Sequence, residues 1–158
     1  MKKFCIIASM CAAGVLFFSF TRQSTNTSAH HNTEDSLALE RQKFINAILD
    51  SLSNKKNMAA DSVFVNLQVF TSSERVPVRH FLAIMDYWGE ALNVSCTYCH
   101  STSDWSSDTM RTKRVARDMY RMRQKINGEI LANMNEIDHK RAEVNCSTCH
   151  NGKAIPKG

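Results

Sequence analysis

A chain of 158 residues, 43% of them hydrophobic, is sized for one small domain, and two prolines and five glycines are too few for a turn-rich β architecture. The net charge of +5 gives no support to nucleic-acid binding. Three of the 20 basic residues (Lys2, Lys3 and Arg22) lie in or beside an N-terminal leader, and the remainder nearly balances 15 acidic residues.

Residues 1–21 read as that leader. Lys2 and Lys3 precede an uncharged run from Phe4 to Phe20, and polar residues follow from Thr21. This is the pattern of an export signal, either cleaved or kept as an N-terminal membrane anchor, and it places the rest of the chain in the periplasm or another extracytoplasmic space. Residues 22–33 are polar and lack aromatics, as in a flexible linker, with His30 and His31 as solvated linker residues. Residues 34–57 carry an amphipathic helix. Leu37, Phe44, Ile45, Ile48, Leu49 and Leu52 fall on one face, and Glu40, Arg41, Lys43 and Asp50 on the other.

The remaining stretch, 58–158, holds the chemistry. Ala59 to Phe70 is apolar and β-branched, which fits a short strand or a buried helical turn. Thr71 to Glu74 resembles a helix start, with Pro77 near the first turn. Val78, Phe81, Met85, Trp88 and Leu92 then recur at helical spacing, and Asn93 stops the helix. Directly after it comes Cys96-x-x-Cys99-His100. A polar loop to Thr109 follows, and then a long helical pattern from about Thr109 to Lys140, bent at Gly128. Its apolar stripe is Val115, Met119, Met122, Ile126, Ile130, Met134 and Ile137. After a short link the same five-residue pattern returns as Cys146-x-x-Cys149-His150, before a polar tail.

C-x-x-C-H is the attachment signal of a c-type haem. Two thiols one helical turn apart can each add across a vinyl group of one porphyrin, and the adjoining histidine becomes the proximal iron ligand. Two copies predict two covalently bound haems c. Every cysteine beyond the leader belongs to one of the two motifs, so none remains for a structural disulfide. A zinc module built from the same residues is disfavoured by export and by a histidine directly after each second cysteine. A dithiol oxidoreductase is disfavoured because no βαβ pattern surrounds either motif.

The sixth ligand of each iron separates electron carriers from catalysts. Met85 is the candidate for the first haem, on the helix that leads into Cys96. Met119 and Met122 are candidates for the second; they lie about 60° apart on one helix, so only one of them can bind. His80 reads as an ordinary surface histidine, whereas His139, close to the second motif, is a candidate for haem contact or ligation. Arg114, Arg117, Arg121 and Lys125 line one side of the long helix as a solvated face. A sharper reading pairs some of them with haem propionates or an acidic partner.

Several stretches together resemble the cytochrome c subunit of bacterial photosynthetic reaction centres. They are NLQVF at 66–70, the Met85 helix, LNVSCTYCH at 92–100, DWSSD at 104–108, KRVARDM at 113–119, IN at 126–127 and VNCSTCHNG at 144–152. The likeness covers about residues 59 to 156. It implies a mainly α fold: a small helical multihaem cytochrome c domain of two helix-then-CxxCH units, preceded by the signal or anchor segment. It points to Met85 for the first haem and Met119 for the second. Met122 stays an alternate because the segment from 127 to Cys146 is longer than that family's. The family carries four haems in two halves, and this chain has one half's worth. A histidine upstream of the second motif there reaches a haem of the other half, so His139 here would ligate across a homodimer. The expected function is an exported dihaem carrier of single electrons between redox partner proteins, not an enzyme. The alternative is a dihaem enzyme with one five-coordinate iron, such as a peroxidase.

Overall fold

The structure, a computed structural model, describes residues 27–71 and 74–156. The leader lies outside the described residues, among which no helix is long and apolar enough to cross a membrane. The fold is mainly helical, as expected. Its helices are α1 (Thr27–Leu52), α2 (Val78–Leu92), α3 (Arg111–Lys125) and the short α4 (Cys146–His150).

Helix α1 begins at Thr27, well before the expected start at 34 and inside the polar stretch read as a linker, and ends at Leu52 instead of 57. No proline or glycine interrupts 27–52, so polarity alone does not stop the winding. Its apolar stripe packs as expected: Ile45, with Ile48, Leu49 and Leu52, meets Val78 and Leu82 of α2. Full burial of Val78, together with Leu82, gives roughly 1.5–3 kcal/mol each. Arg41 departs from its expected place on the polar face. It is buried on the α2 side, where Asp86 supplies a counter-charge at 2.8 Å.

The 59–70 stretch is neither strand nor extended helix. A single 3₁₀ turn at Ala60–Ser62 is followed by irregular chain. The chain just before this stretch caps α2: Val78 N–H donates to Met58 O at 2.9 Å and Arg79 N–H to Lys56 O at 3.1 Å, satisfying amides that open the helix. Pro77 stands just before α2, where its missing N–H costs nothing. Asn93 ends the helix in the left-handed conformation, φ 53°, which asparagine tolerates well. Phe70, Trp88 and Tyr120 then form an aromatic cluster, with centroids 4.4 Å apart for Phe70 and Tyr120, that joins the 59–70 segment, α2 and α3.

The long helix expected to Lys140 stops at Lys125 and loosens into a π turn at Ile126–Ile130 and a 3₁₀ turn at Leu131–Asn133. Two residues explain the difference. Gly128 is a poor helix former. The Asn127 side chain donates to Val144 O and accepts from Val144 N–H, both at 2.9 Å, and so pins the returning chain where a regular helix would continue. The stripe face also differs from expectation. Met119, Met122, Ile130 and Met134 are exposed, while α3 buries Arg117 and Tyr120.

Helix α4 is short but well started. Asn145 Oδ1 accepts from Thr148 N–H at 3.1 Å, and Asn145 N–H donates to Thr148 Oγ1, a reciprocal cap. It docks on α2 through Gly152 N–H to Ala91 O at 3.0 Å and through Tyr87 Oη beside Ser147 Oγ.

Candidate functional site

The first motif leaves α2 at once. Val94 N–H bonds to Gly89 O at 2.9 Å, the chain turns, and Cys96–Tyr98 form a 3₁₀ turn. Cys96, Cys99 and His100 then face a cavity of about 540 Å³, and Met85 and Trp88 of α2 line the same space, as do Phe44 and Ile48 of α1. That volume lies within the roughly 300–1,000 Å³ typical of organic cofactor pockets.

His100 is held by its backbone surroundings. Its Nδ1 lies 3.1 Å from the Trp105 carbonyl. A carbonyl only accepts, so Nδ1 carries the proton and Nε2 keeps the lone pair that a metal needs. Burial, the largest influence, lowers the imidazole pKa; the Trp105 carbonyl opposes this, while Lys113 and Arg117 add to it. The ring is therefore held neutral, the ligating form. Burial also lifts the Cys96, Cys99 and Cys146 thiols above the ordinary cysteine value.

The loop that carries Trp105 is itself clamped. Lys113 Nζ donates to the carbonyls of Trp105, Ser106 and Ser107 at 3.0, 2.8 and 2.9 Å. The Trp105 ring meets Phe44 edge-on, centroids 5.3 Å apart, so α1 supports the loop from the other side. Asp108 pairs with Arg117 at 2.8 Å and Lys113 at 3.4 Å. Arg117, expected on a solvated face, is thus buried between Asp108 and the carbonyl of Asn66, 3.0 Å away. Arg114 and Arg121 remain exposed.

Arg117 and the Asn66 amide hold the Asp108 carboxyl well below the usual carboxylate range. A depressed folded pKa means stabilisation that is complete above the unfolded value near 3.9 and is lost as pH falls through the folded one. Asp108→Asn is therefore expected to lower Tm by a few degrees at pH 6, with the gap to the parent closing below about pH 4. Thermal unfolding followed by circular dichroism between pH 2 and 7 checks this. A gap that does not change with pH contradicts it.

The second motif repeats the imidazole anchor. His150 Nδ1 lies 2.9 Å from the Lys153 carbonyl, which again assigns the proton to Nδ1. Arg123 Nε donates to Val144 O at 3.1 Å, and its guanidinium also pairs with Glu143, tying the approach to Cys146 onto α3. Met119 and Met122 are 43% and 48% exposed, and neither lines the first cavity. Met119 lies about 40° around the helix from Arg123 and Met122 about 100°, which puts Met119 nearer the side where the second motif approaches. His139 is exposed on a turn closed by Arg141 and Ala142 N–H onto Asp138 O. His80 is exposed on α2.

Thiols, a neutral imidazole and a thioether around one apolar-walled cavity are the donor set that suits a covalent haem. Asp86 and Gly89 escaped the sequence reading, and Lys113 stood there only as the first residue of KRVARDM, with no role. The only signal for Arg41 was its spacing, one helical turn before Ile45.

Residues 20–158 match the family model described as photosynthetic reaction centre cytochrome c subunit. The chain belongs to this family. Among similar proteins, cytochrome c-554 of Chloroflexus aurantiacus is 32% identical over 87 residues, 55% of this chain and 20% of that protein. The photosynthetic reaction center cytochrome c subunit of Thermochromatium tepidum is 30% identical over 98 residues, 62% of this chain and 23% of that one. The corresponding subunit of Roseobacter denitrificans is 32% identical over 100 residues, 61% and 26%. This member of the family thus spans about a quarter of the length of the curated relatives it matches. Membership implies covalently bound haem c. It also extends the likeness toward the N-terminus, since the family match takes in all of α1.

Proposed function

We propose that this protein is an extracytoplasmic dihaem c-type cytochrome that carries single electrons between redox partner proteins. Cys96 and Cys99 take the thioether bonds of one haem, Cys146 and Cys149 those of the other, and His100 and His150 are the proximal ligands. Met85 is the sixth ligand of the first iron. Met119 is that of the second, with Met122 the alternate. A haem so bound supplies a one-electron couple. The surrounding residues keep its coordination fixed: carbonyls orient both imidazoles, and Lys113 holds the loop that presents one of those carbonyls. Residues 58–158 form the dihaem domain, packed by α1, and the 1–21 leader exports it as a signal peptide or anchors it to the membrane.

The observation that carries this reading is the repeated anchor: each motif histidine has Nδ1 on a backbone carbonyl, at 3.1 and 2.9 Å. A metal-ligating imidazole is oriented this way, and a histidine directly after each C-x-x-C is the pattern of a haem rather than a zinc site. The test is the full chain made in an exporting, haem-attaching host. The product is expected to be red, heavier by two macrocycles, and low-spin, with methionine–iron bands in the near infrared. A colourless product of unmodified mass ends the proposal.

One observation favours a second reading. Both sulfur candidates for the second iron are exposed, so an open coordination position, and with it a dihaem enzyme such as a peroxidase, would arise there. Carbon monoxide binding by the reduced protein as isolated would select that reading. His139, exposed on its turn, is assigned to a haem of a second copy in a homodimer. A monomer in solution with two methionine-ligated irons rules this out.

A further inference from the structure

Arg41 breaks the polarity of its own helix. It is 6% exposed, on the face of α1 that packs against α2. A buried guanidinium without partners is strongly destabilising, and the partners here are specific. Nε donates to Asp86 Oδ1 at 2.8 Å and Nη1 to Val94 O at 3.3 Å, while Gln42 donates to the other Asp86 oxygen at 2.6 Å. Asp86 directly follows Met85, and Val94 comes just before Cys96. Arg41 and Asp86 both line the first cavity. Gly89 makes the passage: a Cβ there would lie 2.5 Å from Arg41 Cδ and 3.2 Å from its Nε. Burial is the main influence raising the Cys96 thiol; Glu40 and Asp86 add to it and Arg41 opposes it. A helix outside the helix-then-CxxCH plan therefore delivers an ion pair to the wall of the first pocket.

We propose that Arg41 and Asp86 are a matched charge pair that sets the reduction potential of the iron held by His100 and Met85, with Gly89 keeping the guanidinium in place. The proposal rests on the haem reading above. Reduction removes one positive charge from the iron, so a cation in the wall favours the reduced form and an anion the oxidised form. Paired, the two largely cancel. Unpaired, either one in a poorly solvated wall changes the oxidised-to-reduced ratio by about tenfold, which is about 59 mV for one electron.

The experiment is a redox titration of the full haem-loaded chain in which the two haems are resolved. Arg41→Gln is expected to lower the first potential and Asp86→Asn to raise it, each by about 59 mV, and the double variant to return close to the parent. Arg41→Lys keeps the charge and is expected to stay nearer the parent than Arg41→Gln. Gly89→Ala is expected to lower the potential with no charge removed, because the new methyl displaces the guanidinium. The second haem serves as internal control and stays fixed. Shifts of one sign from Arg41→Gln and Asp86→Asn, equal movement of both haems, or lost thermal stability with an unmoved potential would each overturn the proposal. If Arg41→Gln does not accumulate, Asp86→Asn and Gly89→Ala carry the test through their opposite signs. Failure of the underlying haem assignment looks different: the parent's Cys96–Cys99 peptide then carries no added mass.

Discussion

Replacing Cys96 and Cys99 by alanine is expected to cost the protein its cooperative fold as well as one haem, whereas the same change at Cys146 and Cys149 is expected to cost one haem and leave most of the helix. The asymmetry comes from where each motif sits. The first cavity is walled by α1, by α2, by the 63–69 segment and by α3 residues as far as Arg117, so it stands where a small domain keeps its core. At about 24 cal/mol per Å³, about 540 Å³ without its cofactor corresponds to on the order of 10 kcal/mol, before a discount for its open side. Native domains of this size have roughly 5–15 kcal/mol in total. The second motif is carried on the five-residue α4, which packs on α2, and Met119 and Met122 of α3 are exposed. Far-ultraviolet circular dichroism and thermal unfolding of the two double variants decide the matter. Equal loss of helix in both would refute the asymmetry.

The parts of this fold that were legible in the sequence are those where one residue type has one physical consequence. The two C-x-x-C-H patterns, the α2 periodicity and the Asn93 stop are of this kind; the start of α2 is not, since it lies at Val78 with Pro77 before it and not at Thr71–Glu74. What was not legible depends on partners far along the chain. Arg41 is charged, and a charge on an amphipathic helix is expected in water; only Asp86, 45 residues on, makes its burial tolerable. Arg117 follows the same logic with Asp108 and Asn66. The end of α3 turned on Asn127 meeting Val144, a contact that helical periodicity does not encode. The Met119–Met134 stripe is the most instructive case. Periodicity marks an apolar face but does not encode whether the fold buries it.

Substitution of Met85 by histidine is expected to lower the potential of the first haem by on the order of 100 mV, within the roughly 0.8 V that axial ligands and their surroundings span. The sign follows from ligand softness: a thioether favours ferrous iron, whereas an imidazole, a stronger donor, favours ferric. The near-infrared methionine–iron band of that haem disappears while the iron stays low-spin. Met85→Ala is expected to leave the iron open and to confer carbon monoxide binding that the parent lacks. The alternative is that Met85 is only a core residue of α2. In that case both variants lower thermal stability, the alanine one by roughly 2–5 kcal/mol, and neither moves the spectrum. The same pair of readouts applied to Met119→Ala and Met122→Ala separates the two candidates for the second iron, because both side chains are exposed and their loss costs little packing. The variant that removes the second band identifies the ligand. If neither does, the second iron has no methionine from α3, and the open-site reading takes precedence.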